Sequence, residues 1–150
     1  MSTPGVHLAL LLGVLALVPA AWADLGAARG EPDLEKRSGL ALDNADRALK
    51  SAREAYGNGD LKDTAVRIQE VEESVQLAEA SLKQTGKDPR RSPKWFKRAE
   101  IRTNDLLRKL DAFNRQMSYA DRDLLAKVTA KVRQVHEDLL VGIMEGKKRK

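Results

Sequence analysis

Cysteine is absent from this chain of 150 residues, and aromatic residues make up only 4% of it. Without thiols the protein makes no disulfide, holds no iron–sulfur cluster and attaches no haem through Cys-x-x-Cys-His, so its stability must come from packing. Few aromatics beside 33% charged residues exclude the usual profile of a sheet protein and fit long solvated helices. Histidine is almost as scarce. His136 is the only one outside the first 23 residues, which is too few for a multi-histidine zinc site. The sequence also has no Gly-rich phosphate loop and no nucleophile elbow. Enzymatic chemistry is therefore not expected, and neither is a cofactor.

Charge is missing from residues 1–23, so all 27 basic and 22 acidic residues fall in the remaining chain. Leu8 to Val18 is an uninterrupted apolar run that ends at Pro19, and Ala21-Trp22-Ala23 offers small residues at the two positions a signal peptidase inspects. Residues 1–23 read as a secretory leader cut before Asp24, which implies export to a periplasmic or extracellular space. The segment before the apolar run, MSTPGVH, has no Lys or Arg, a departure from that pattern. The competing reading is an uncleaved anchor over Val6–Ala23, a length just short of the ~20 residues that span a bilayer. After cleavage no transmembrane span remains.

Beyond the leader the chain is strongly periodic. Residues 24–32 are small and flexible in composition and read as an open lead-in; residues 33–146 carry four helical segments; residues 147–150 are a basic tail. The first segment has its apolar seam at Leu42, Ala45, Leu49, Ala52 and Tyr56, and Gly57-Asn58-Gly59 breaks it. Asp60 caps the second, whose seam is Leu61, Thr64, Ile68, Val71, Val75, Ala78 and Leu82, with Gly86 after its end. Ser92 is the expected cap of the third, with Pro93 at its first position and a seam of Phe96, Ala99, Thr103, Leu106, Leu110, Phe113 and Met117. Ser118 to Asp121 has the pattern of a capping box and opens the fourth, whose seam is Leu125, Val128, Val132, Val135, Leu139 and Gly142, widened by Leu124, Leu140 and Ile143.

Steps alternating between three and four are the period of a left-handed bundle. Four segments of matched length joined by short turns predict an all-α, antiparallel up-down-up-down four-helix bundle. Two hairpins from two chains fit the same pattern as a homodimer. The first segment offers the least apolar area, since two of its five seam residues are alanine; it either frays or packs by close approach.

The run Leu49 to Val71, LKSAREAYGNGDLKDTAVRIQEV, resembles one helix-turn-helix unit of a tetratricopeptide repeat, with Ala55-Tyr56 before a glycine turn and Asp60-Leu61 after it. The resemblance covers one hairpin. Such arrays need about three copies of ~34 residues, and the second hairpin lacks the Ala-Tyr-turn pattern. No peptide-binding function is carried over from it.

The densest positive charge lies in the link between the second and third segments, where Lys87, Arg90, Arg91, Lys94, Lys97 and Arg98 stand against the single acid Asp88, with Trp95 among them. The chain ends in Lys147, Lys148, Arg149 and Lys150. An up-down-up-down path brings this link and the chain's end to one pole, while Asp60, Asp63, Asp121 and Asp123 fall at the other. A cationic pole suits an anionic surface or an acidic protein through salt-dependent, sequence-blind attraction, without sequence-specific recognition of nucleic acid. Trp95 could then meet a lipid interface or stack on a base. The plain alternative is that the charges only solvate the protein and Trp95 caps the bundle's end.

His136-Glu137 begins like a zinc-protease helix, but Leu140 stands where the second histidine belongs. An exported four-helix bundle with a histidine late in its last helix is similar in architecture to the soluble b-type cytochromes. Those hold haem between that histidine and a methionine early in the first helix, where this chain has no methionine. His136 reads as a boundary residue, with a haem- or metal-carrying bundle as the alternative. Glu70, Glu72 and Glu73 with Asp43 and Asp46 form an acidic set expected to serve solvation and i,i+4 pairing. The expected function is that of an exported, non-enzymatic interaction protein whose basic pole binds an anionic surface or acidic partner; a purely structural dimer is the remaining alternative.

Overall fold

The computed structural model describes residues 20–146, with side chains from Leu25 onward. Five α-helices account for most of it: α1 (Ala20–Gly30), α2 (Leu34–Gly57), α3 (Leu61–Gln84), α4 (Pro93–Gln116) and α5 (Asp123–Glu145), with one 3-10 turn at Tyr119–Asp121. No strand occurs among the described residues.

The four long helices start and stop for local reasons. Asp33 caps α2, its carboxylate accepting the N–H groups of Glu35 and Lys36 at 3.0 Å each. Gly59 takes the positive φ of +77° that the turn into α3 requires. The Asp60 carboxylate then accepts the Asp63 N–H at 2.9 Å. Gly86, at φ +67°, ends the α3 side of the link.

Two expected caps take a different form. Ser92 makes no side-chain cap bond. Asp88 organises that turn instead, its backbone carbonyl accepting the N–H groups of Arg91 and Ser92 and its carboxylate that of Arg90. At the start of α5 the Ser118–Asp121 box is split by a phenol. Tyr56 Oη accepts the Ser118 N–H at 2.8 Å and donates to Asp121 Oδ2 at 3.0 Å, while Ser118 Oγ donates to the same oxygen at 2.7 Å. The hydroxyl takes the amide that the acid of a capping box would have held, and α5 begins only at Asp123.

Contacts between helices fix their directions. Lys87 meets Glu35 and Asn44 meets Ser74, so α2 and α3 are antiparallel. Arg102 meets Asp43, Lys109 meets Asp46 and Gln116 meets Arg53, so α4 runs parallel to α2. Lys127 meets Glu72 and Lys131 meets Glu79, so α5 runs parallel to α3. The path is therefore up, down, up, down, but the ring order is α2, α3, α5, α4. The link between α3 and α4 crosses the diagonal of the bundle, and those two helices touch little.

The core is one cluster through all four long helices. Phe113, Leu106, Leu110 and Leu82 meet Val71, Val75, Val128, Val132 and Val135 there, each almost completely buried. Helix α2 packs by close approach: Ala41, Ala45, Ala48 and Ala52 are all buried against neighbours. Thr64 and Thr103 are accommodated because each hydroxyl donates back into its own helix, to Asp60 O at 2.6 Å and Ala99 O at 2.9 Å. One seam residue, Leu61, and one residue expected to widen the α5 stripe, Leu140, lie outside the core. Leu61 is 45% exposed at the first residue of α3, and Leu140 is 41% exposed because Leu139 takes the inward position.

The lead-in at 24–32 is a correction. Through Gly30 it belongs to α1, which packs on α2 with Leu25 and Ala28 buried and Arg29 3.6 Å from Glu73. Two apolar residues three apart suffice to lay one turn of helix on a neighbour. Residues 1–19 of the expected leader lie outside the described residues, as does the tail 147–150; α1 runs across the expected cut before Asp24. No described helix is long and apolar enough to cross a membrane.

Candidate functional site

The link Thr85–Ser92 and the first two turns of α4 form one end of the bundle. The last turn of α5 closes against it. A Cβ built on Gly142 would stand 3.3 Å from the Pro89 ring, and one on Gly146 would stand 2.8 Å from Arg90 Cδ. The fold thus brings Arg90 and the end of α5 together at one pole. Lys147, Lys148, Arg149 and Lys150 lie outside the described residues.

Around this contact the cations divide into two groups. Lys87 is paired, its ammonium 2.7 Å from Glu35 on α2. Arg90, Arg91, Lys94, Lys97 and Arg98 are exposed. Lys94 and Arg98 both rest on Trp95, at 5.6 and 5.4 Å from its ring centroid, within the range of a cation–π contact. The indole is half-buried, packed on the core from one side and reaching α2 at Gly39 on the other. A shallow groove beside it is lined by Glu35, Lys87, Pro93, Lys94, Trp95 and Lys97. The aromatic ring thus orients two cations whose charges remain in water, an arrangement suited to phosphate or carboxylate groups on a surface.

The acids near this pole were not anticipated. Glu31, Asp33 and Glu35 open α2 at the same end. Asp33 is held below the usual carboxylate range, first by the N–H of Lys36, with Lys87 contributing. The feature that could have found them is the up-down path itself, since it sends the start of the first long helix to the same pole as the link.

Neither a protein-family model, nor a curated protein, nor a solved structure matches this chain. Its function is therefore argued from its own side chains.

His136 is a boundary residue between α5 and α4. Its Nδ1 lies 3.3 Å from both the Glu100 carbonyl and Thr103 Oγ1, and 3.7 Å from Glu100 Oε1. The Thr103 hydroxyl proton already points at Ala99 and Glu100 carbonyls, so a proton on Nδ1 satisfies the contact best. Among the described residues no group of three His, Cys, Asp or Glu side chains is arranged to hold a metal ion.

The acidic set ties helices together across the bundle. Arg102 spans Asp43 and Asp46 at 2.7 Å each, and Lys109 adds a 2.8 Å contact to Asp46. Burial costs Arg102 some of its basicity, but those two carboxylates outweigh it and hold the guanidinium above its ordinary value. Glu72 meets Lys127 and Glu73 meets Arg29. Glu70 departs from the surface role expected of it: it is 9% exposed and accepts from the buried Asn44 at 3.0 Å. That pair with Ser74 is a polar tie inside the α2–α3 hairpin.

Proposed function

We propose that this chain is an exported, non-enzymatic helical binding protein whose basic pole adsorbs to an anionic surface. The observation that carries the reading is the group Arg91, Lys94, Lys97 and Arg98. All four are exposed on the link and the first turns of α4, and none pairs with a carboxylate among the described residues. Other cations of the bundle, Arg102, Lys109 and Lys127 among them, tie one helix to another. Four unpaired charges at one end form a local positive potential that the net charge of +5 alone does not imply. Export is supported by the uncharged apolar run Leu8–Val18.

Sedimentation with anionic and neutral vesicles over a range of salt tests this reading. Binding is expected to favour the anionic vesicles and to weaken steadily as salt screens the pole. Equal partitioning onto both kinds, or onto neither, would overturn it.

A further inference from the structure

The last two turns of α5 expose three large apolar side chains at the basic end of the bundle. Leu140 is 41% exposed, Val141 47% and Met144 70%. Residues 137, 140, 141 and 144 share one face of a helix at 3.6 residues per turn, so Leu140, Val141 and Met144 form a stripe headed by Glu137. The stripe lies beside the cations. His136 meets Glu100, Gly142 meets Pro89 and Gly146 meets Arg90, which sets α5 antiparallel to the start of α4. Extending that register places Leu140 level with Phe96 and Met144 level with Ser92. At that end Arg90 lies against Gly146, and the exposed Lys94 and Lys97 stand at the same height on the first turns of α4. The acids near the stripe are Glu137 and Glu145 on α5 and Asp88, whose Oδ1 would stand 3.2 Å from a Cβ on Gly146.

Exposed apolar side chains at a cationic end of the bundle match one occupant well. A soluble polyanion satisfies the charges and leaves Leu140, Val141 and Met144 in water. A lipid interface of negative charge satisfies both, with the ammonium and guanidinium groups at the phosphates and the aliphatic tips among the upper acyl carbons. Trp95, half-buried beneath Lys94 and Arg98, adds at the same end of the bundle an amphipathic aromatic of the kind favoured at such an interface.

We infer that the anionic surface is a phospholipid membrane and that the end of α5 inserts into it through Leu140, Val141 and Met144. The inference rests on the proposed function and narrows it to one kind of surface.

The absence of cysteine allows a direct test in the full chain. Met144→Cys carries an environment-sensitive fluorophore at the stripe, and Tyr119→Cys carries the same label at the opposite end, where the native side chain is 89% exposed. Each is mixed with vesicles of phosphatidylglycerol and phosphatidylcholine, or of phosphatidylcholine alone. The label at 144 should shift to the blue with the anionic vesicles only, be quenched by doxyl-labelled acyl chains, and lose both responses in high salt; the label at 119 should not respond. In unlabelled protein, Leu140→Ser with Met144→Ser should weaken adsorption to those vesicles roughly tenfold, equivalent to about 1.4 kcal/mol. The same variant should leave salt-dependent retention on a phosphocellulose column unchanged.

Salt-sensitive adsorption with the label at 144 still in water would overturn insertion and leave the proposed function standing. No preference for anionic vesicles, with no retention on phosphocellulose, would end both. A blue shift that needs no vesicles and grows with protein concentration would assign the stripe to a second copy of the chain.

Discussion

Gly39 on α2 faces Trp95 on α4, and a Cβ built on the glycine would stand 3.5 Å from the indole edge. That separation is an ordinary van der Waals contact, so alanine fits where glycine now weakens the middle of a helix. Gly39→Ala should raise the free energy of unfolding by about 0.5–1 kcal/mol. Gly39→Leu has no room under the ring and should lower it by about 1–3 kcal/mol while displacing Trp95. Urea denaturation of the two variants checks the pair of signs.

Tyr56 joins the end of α2 to the α4–α5 turn through its hydroxyl alone. Its ring, meeting Phe113 edge-on at 5.7 Å, is kept in Tyr56→Phe, but Ser118 N–H and Asp121 lose their shared partner. The loss should be about 1 kcal/mol. Amide exchange at Ser118 should accelerate by more than the global loss of stability accounts for.

Asn44 is 1% exposed, and its amide donates to Glu70 and Ser74 at 3.0 Å each. Asn44→Ala leaves a buried carboxylate short of a donor and should cost about 1–3 kcal/mol. Ser74→Ala combined with it should be less than additive, since the two residues share one network. Chemical denaturation of the single and double variants gives the coupling.

The Asp105–Lys109 pair predicts a pH response. The Lys109 ammonium, 2.7 Å away, holds the Asp105 carboxyl below its ordinary value of 3.8, with Arg108 assisting. A carboxyl with a lowered folded pKa contributes stability above its unfolded value, and that contribution is lost as pH falls through the folded one. Lys109 is held above its ordinary 10.5, first by Asp105 and then by Asp46. Its contribution is complete below that value and lost as pH rises through the raised one. Lys109→Gln should therefore flatten the stability profile below about pH 4 and above about pH 10. Thermal denaturation carried to lower pH than the first limit and to higher pH than the second should show a smaller change in slope than the parent at both ends. The effect should be small, because both groups face solvent.

Most of the bundle was legible because a 3-4 apolar period states which face of each helix is inward. Leu42, Val75, Leu110 and Val132 fall where that period puts them. Neighbour choice was not legible: period and loop length leave open whether α4 sits beside α3 or beside α2. The answer depends on a diagonal link and on Arg102 reaching Asp43 and Asp46. Helix α1 escaped notice because two buried residues, Leu25 and Ala28, are too few to make a periodic pattern. At the pole, charge was readable and pairing was not. Lys87 counts as one more cation until the fold brings Glu35 within 2.7 Å of it. The end of α5 was misread for a related reason: Leu140 fits a widened stripe in sequence, yet the outward turn of the helix leaves it exposed.

The position of the charge, independent of its amount, is the claim most directly open to measurement. Two variants remove the same three positive charges from the full chain. One carries Arg91→Gln, Lys94→Gln and Lys97→Gln at the basic pole; the other carries Lys62→Gln, Arg115→Gln and Arg122→Gln at the opposite end. Adsorption of each to phosphatidylglycerol vesicles is measured at fixed salt. The pole variant should lose roughly 3 kcal/mol, about a hundredfold, at roughly 1 kcal/mol per residue, and the opposite-end variant should stay close to the parent. Equal losses in the two variants would contradict the account, because net charge alone would then govern binding.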